Sequence, residues 1–172
     1  MDGSQEERRC LPGHLPTGQR IMIAVKVKGV GLDQQQNPLL LLMDQEETMI
    51  LPIGIGLGEA QVISLKLDGY ILPRPLTHDL IASLCQKLGV TIQKIVVNDI
   101  REGTYYAQIF LEKGDEEIVV DSRPSDGVAL ALTSGTPLFI TEKVAAHSLP
   151  FEEVLKGSLE DIFGEDEDNL LH

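Results

Sequence analysis

Apolar and polar residues alternate over Ala24–Val30, the period of two that sets one face of a strand on a core and the other in water. Upstream, residues 1–19 have no period and carry Pro12, Gly13, Pro16 and Gly18, so they read as a flexible leader. Beyond the polar stretch from Asp33 to Asn37, the apolar runs Leu39–Met43 and Thr48–Ile55 flank Asp44-Gln45-Glu46-Glu47 and predict an antiparallel hairpin. Gly54, Gly56 and Gly58 then turn the chain into a helix over Glu59–Leu67, where Ala60, Ile63 and Leu67 hold helical spacing. Thr77 is the expected N-cap of a second helix, with Asp79 in its positive first turn. Leu80, Ile81, Leu84, Cys85 and Leu88 mark its one apolar face, and Gly89 stops it.

A meander is expected over Thr91–Ile100, Thr104–Glu112 and Glu117–Val120, with turns at Arg101-Glu102-Gly103 and Gly114-Asp115. Asp121-Ser122-Arg123-Pro124 opens a segment, Gly127–Leu132, that is apolar nearly all round and fits a buried helix. Pro137–Thr141 reads as a strand. Phe151, Val154, Leu155, Leu159, Ile162 and Phe163 then space a last helix that ends at Gly164 and an acidic tail.

A chain of 172 residues is about one domain long and hides roughly 70% of its unfolded surface. With no Trp and 4% aromatics, its core must be built from Leu, Ile and Val. The longest apolar run, Leu39–Met43, is too short to span a bilayer, and the N-terminus has no apolar segment behind its charges, so the expected location is the cytoplasm. Cys10 and Cys85 form neither a disulfide framework nor a zinc motif. The net charge of −13 is unevenly spread: residues 146–172 carry eight acids against Lys156, and residues 20–145 carry 16 acids against 11 bases. That balance argues against a high-affinity, nonspecific DNA binder, and contact with nucleic acid would need a local basic patch or metal ions.

One internal echo stands out. Arg74-Pro75-Leu76-Thr77-His78-Asp79 and Arg123-Pro124-Ser125-Asp126 both set Arg-Pro, then a hydroxyl residue, then Asp at an expected helix start. Helix N-termini offer free N–H groups, and an arginine fork offers paired donors, so Arg74 and Arg123 could clamp a phosphodiester with Thr77 and Ser125 beside them. The same residues read equally as arginine–aspartate pairs with capping hydroxyls. His78 is a candidate for proton transfer, set against a purely structural histidine in a first helical turn. Asp99, Asp121 and Asp126, with Glu59 and Asp79, are candidate ligands for Mg²⁺ or Mn²⁺ if the fold gathers them, although turns and helix starts favour Asp for local reasons. No P-loop, dinucleotide fingerprint, HExxH or Ser-His-Asp motif is present, and GIGLG at 54–58 fits a tight strand-to-helix turn better than a phosphate cradle.

Three blocks, LPIGIGLGEAQVI at 51–63, GYILPRPLTHDL at 69–80 and DSRPSDGVALAL at 121–132, resemble the bifunctional nuclease domain family, and the likeness extends loosely over residues 21–145. The resemblance implies an α+β fold, here a single compact domain with a mixed, largely antiparallel sheet packed by three to four helices. It implies homo-oligomers and, in plant members, DNase and RNase activity. The corresponding organisation is a leader (1–19), a nuclease-like domain (20–145) and a C-terminal helix with acidic tail (146–172). The family commonly has an aromatic residue where Gly54 stands and Ala where Gly127 stands. The expected chemistry is phosphodiester cleavage in DNA or RNA, with His78, Asp79 and Asp126 catalytic, Arg74, Arg123, Thr77 and Ser125 on the substrate, and Asp99 and Asp121 on a metal. The rival expectation is a non-catalytic oligomeric module that binds a small anion or a protein partner.

Overall fold

A computed structural model describes residues 21–156, so the leader, the tail and the expected helical positions Leu159, Ile162 and Phe163 lie outside the described residues. The alternation at the start of the chain becomes β1 (Met22–Leu32), paired antiparallel with β2 (Pro38–Asp44), which pairs with β3 (Met49–Gly54). The turn between β2 and β3 is fixed by Asp44, whose carboxylate accepts the Thr48 and Met49 N–H groups at 2.8 and 2.9 Å and the Thr48 hydroxyl at 2.6 Å. An aspartate closing its own turn is the local chemistry expected of a polar break between two apolar runs.

Helix α1 (Leu57–Leu67) and helix α2 (Thr77–Lys87) follow, then the meander β4 (Thr91–Arg101), β5 (Thr104–Lys113) and β6 (Glu116–Ser122). Helix α3 (Pro124–Ser134) leads to β7 (Leu138–Thr141), the single-turn α4 (Glu142–Ala145), the short β8 (Leu149–Pro150) and a further helix, α5, at residues 151–156. The strands form one eight-stranded sheet in the order β6-β5-β4-β7-β1-β2-β3-β8. Every neighbour pairing is antiparallel except β4 with β7, so the sheet is mixed and largely antiparallel. The fold is therefore the expected α+β domain. With five helices among the described residues it exceeds the three to four expected, because the short α4 has no periodic pattern to announce it.

The core lies where α1 and α3 pack on the sheet. Leu40, Leu42, Leu51, Ile63, Ile95, Val97, Val128, Leu130 and Ile140 are each at most 2% exposed, and burial of side chains of this size stabilises by about 1.5–3 kcal/mol apiece. Helix α3 is the most enclosed element, with Pro124, Ser125 and all of Gly127–Ala131 buried. At Gly127 the sheet comes so close that a Cβ would meet Ile95 Cγ2 at 2.9 Å and Ser122 Oγ at 3.2 Å. Glycine thus lets the start of α3 rest directly on β4 and β6.

Two sequence expectations need correction. The N-cap of α2 is Leu76, and Thr77 is the first helical residue: the Asp79 carboxylate, at the third helical position, accepts the Leu76 N–H at 2.8 Å and so fixes the start of the helix one residue earlier. The apolar stripe of α2 is also not a core face: none of its residues is buried, and Leu80, Leu84 and Leu88 are all more than half exposed. No helix among the described residues is long and apolar enough to cross a membrane.

Candidate active site between three helix starts

Three helix N-termini supply the chemistry-bearing side chains of one cleft. Gly56 caps helix α1, and Glu59, in the first turn, folds back over Gly56 so closely that a Cβ there would push the Glu59 carboxylate aside. Helix α2 contributes Thr77 and His78, and α3 begins at Arg123 and contributes Asp126. Together with Ile81, Ile109, Asp121 and Leu130, these residues line a cleft of about 620 Å³.

Arg123 is the hub. Its Nε and Nη2 donate to the two Asp126 carboxylate oxygens at 2.7 and 3.1 Å, the bidentate fork expected of arginine and carboxylate, and Nη1 donates to Glu59 Oε1 at 2.7 Å. The arginine side chain is nevertheless 65% exposed. Nη1 and Nη2 each keep a second N–H uncommitted among the described residues. Burial alone would raise the Asp126 carboxyl, but the Arg123 guanidinium and the His78 ring outweigh it, so the group is held below its ordinary value. Arg123 itself is raised, first by Asp126 and then by Glu59.

His78 Nε2 lies 3.3 Å from Asp126 Oδ1, while Nδ1 is buried with no partner among the described residues. An unpaired buried ring nitrogen costs about 1–3 kcal/mol. The contact with Asp126 fixes the ring position, which a general base or acid requires.

The remaining expected site residues are placed as follows. Asp79 is engaged by Lys66 and by the Leu76 N–H, and so stabilises the first turn of α2 without facing the cleft. Its carboxyl is lowered, chiefly by Lys66. Ser125 is buried and lines a second cleft on the far side of Arg123. Arg74 is exposed, lines neither cleft and has no ion-pair partner among the described residues. Asp121 lines the first cleft, and its carboxylate has no hydrogen-bond partner among the described residues.

Asp99 lies elsewhere, in a smaller pocket with Asn98, Thr141 and Lys143, where Lys143 and Arg101 hold its carboxyl down at about 2. Asp99 and Asp121 thus line different pockets. No group of three or more His, Cys, Asp or Glu side chains that could hold a metal ion occurs among the described residues. Two partners went unforeseen, Glu59 for Arg123 and Lys66 for Asp79. Each joins residues on different helices, so no local spacing announces it.

The chain has clear relatives. The model of a family described as the bifunctional nuclease domain matches residues 40–151. An uncharacterized protein of Mycobacterium tuberculosis is 43% identical over 125 residues, covering 72% of this chain and 74% of that protein. Bifunctional nuclease 1 of Oryza sativa subsp. japonica is 23% identical over 110 residues, covering 62% of this chain and 33% of that protein. Bifunctional nuclease 1 of Arabidopsis thaliana is 23% identical over 117 residues, covering 66% and 36%. The chain therefore spans about a third of the length of these plant relatives.

Proposed function

Because the chain belongs to the bifunctional nuclease domain family, we propose that it is a phosphodiesterase acting on DNA or RNA, with the cleft between α1, α2 and α3 as its active site. The observation that carries this reading is His78, which lines the cleft and is tied through Nε2 to Asp126, the carboxylate that also receives the fork of the exposed Arg123. In the proposed step His78 takes a proton from a water whose oxygen bonds to phosphorus as the P–O bond to the departing ester oxygen breaks, and protonated His78 returns that proton to the departing oxygen. The uncommitted N–H groups of Arg123 hold the phosphate oxygens while negative charge redistributes over them. Asp126 fixes the ring, and Asp79 acts through the first turn of α2 that presents it. Arg74 is assigned to the substrate backbone beyond the scissile bond, with Thr77 at the cleft wall.

The cleft holds Glu59, Asp121 and Asp126 against the single fixed cation Arg123, so a phosphodiester entering it meets excess negative charge. A Mg²⁺ or Mn²⁺ ion would offset this. Such ions are commonly held by one or two carboxylates plus substrate phosphates, and Asp121 is the uncommitted carboxylate of the cleft. Asp99, saturated by Lys143 and Arg101, does not fit that role. Homo-oligomerisation is part of the same proposal, and the exposed Leu80, Leu84 and Leu88 of α2 offer an apolar stripe for it.

The rival reading, a non-catalytic module for an anion or a protein partner, draws on the pairing of Arg123 with two carboxylates. Degradation of single- and double-stranded DNA and RNA by purified protein, with and without Mg²⁺ or Mn²⁺, separates the two. Loss of activity in folded Arg123→Ala and His78→Ala supports the nuclease. Equal activity in wild type and both variants sinks it.

A further inference from the structure

On the other side of Arg123 from His78 lies a second cleft of about 530 Å³, within the range of ~300–1,000 Å³ typical of small-molecule sites. Arg123 and Glu59 line both clefts, so the guanidinium forms the ridge between them. The second cleft differs in character. Ile55 gives it apolar surface and Tyr105 adds an aromatic ring, while Ser125 lines it with a hydroxyl that has no hydrogen-bond partner among the described residues. Ser125 Oγ is not among the fully enclosed atoms that lack a partner, so the hydroxyl is open to bond a polar ligand atom.

Gly54 keeps this space open. It ends β3 without a positive φ, and nothing lies within 4 Å of where its Cβ would stand, so neither the backbone nor crowding demands glycine there. Any larger side chain would project into the cleft that Gly54 lines.

We infer that this second cleft is a nucleoside subsite, taking the base and sugar that adjoin a phosphate held at Arg123. The inference rests on the phosphodiesterase reading of the neighbouring cleft. A base has a flat apolar face and a polar edge, which suits a wall of Ile55 and Tyr105 interrupted by the Ser125 hydroxyl; stacking on an aromatic ring is tolerant of base identity. A chain with its phosphate on the ridge sets one nucleoside on each side of Arg123, and this cleft is the space available opposite His78.

Isothermal titration calorimetry of the full chain with adenosine monophosphate, cytidine monophosphate and inorganic phosphate tests the assignment. The expected result is that both nucleotides bind at least about tenfold more tightly than phosphate, and that Gly54→Phe removes this advantage while leaving the melting temperature and phosphate binding unchanged. Nucleotides binding no better than phosphate, or a folded Gly54→Phe variant that keeps the full advantage, would overturn it. Should Gly54→Phe fail to fold, Ser125→Ala serves instead, with an expected weakening of about threefold for nucleotides and an unchanged affinity overturning the subsite. Nucleotide binding by a protein that cleaves neither DNA nor RNA would uphold the subsite and sink the nuclease reading, whereas cleavage with no nucleotide preference would do the reverse.

Discussion

His78 Nε2 meets Asp126 Oδ1 at 3.3 Å across 48 residues of chain, and this contact joins the first turn of α2 to the first turn of α3. Asp126 also receives the Arg123 fork, so one carboxylate sets the position of both the ring proposed to transfer the proton and the cation proposed to hold the phosphate. Asp126→Asn should therefore reduce kcat about 10²-fold or more while the protein remains folded, since the amide keeps the shape but loses the charge that orients both partners. Steady-state kinetics on an oligonucleotide checks this. A kcat/KM within threefold of wild type would show that the pair is structural only.

Arg74 and Arg123 should separate kinetically. Arg74 is exposed and outside the cleft, so Arg74→Ala is expected to raise KM about three- to tenfold with kcat preserved, an effect that shrinks as salt rises. Arg123→Ala removes the cation on the ridge and should lower kcat instead. The same response from both variants would remove the distinction between rim and centre.

Acid should weaken the sheet at a nameable place. Lys143 and then Arg101 hold the Asp99 carboxyl at about 2 against an ordinary 3.8. A depressed folded-state value means stability that is present above the unfolded value and is lost as pH falls through the folded one. The melting temperature of wild type should therefore drop between about pH 4 and pH 2 by more than that of Asp99→Asn. Two curves that stay parallel over that window would show that the Asp99 contacts contribute nothing.

Two glycines one helix apart should respond with opposite signs. Gly127→Ala forces a methyl to within 2.9 Å of Ile95 Cγ2 in the core, an overpacking that costs about 1–3 kcal/mol. Gly58 has open space at its Cβ and no positive φ inside the first turn of α1, so Gly58→Ala should gain about 0.5 kcal/mol. Urea denaturation of both variants reads the two signs. A destabilised Gly58→Ala or a neutral Gly127→Ala would contradict the packing described.

Much of the scaffold was legible because strands declare themselves locally. The alternation at Ala24–Val30 and the apolar runs around Asp44–Glu47 fall on β1, β2 and β3 with end shifts of a few residues, and the all-round apolar segment after Pro124 is the buried α3. The site was half legible. The Arg-Pro echo correctly marked two helix starts, but the partners that define each are non-local: Glu59 reaches Arg123 from 64 residues away and Lys66 reaches Asp79 from 13. The echo also implied a symmetry the fold does not keep. Arg123 is drawn into a carboxylate cluster, whereas Asp79, the counterpart of Asp126, is taken by a lysine of α1, which leaves Arg74 outside. The apolar stripe of α2 shows the same limit from the other direction, since periodicity marks a face but not what covers it.

The start of α2 provides the sharpest test of that difference between local pattern and tertiary outcome. If Thr77 were the cap, Thr77→Ala would cost about 1 kcal/mol and its neighbour would matter less. The observed geometry reverses this: Leu76 occupies the capping position, its N–H is satisfied at 2.8 Å by Asp79, and the same carboxylate binds the half-buried Lys66. Asp79→Ala should thus destabilise by about 1–2 kcal/mol through the lost cap and the unpaired ammonium, while exposed Thr77→Ala stays within about 0.5 kcal/mol. Because His78 rides on this turn, Asp79→Ala should also lower kcat, and Asp79→Asn, which keeps an oxygen for the Leu76 N–H, should recover part of it. Chemical denaturation and kinetics on the three variants decide the matter. A larger loss for Thr77→Ala than for Asp79→Ala would return the cap to the threonine and detach Asp79 from the positioning of His78.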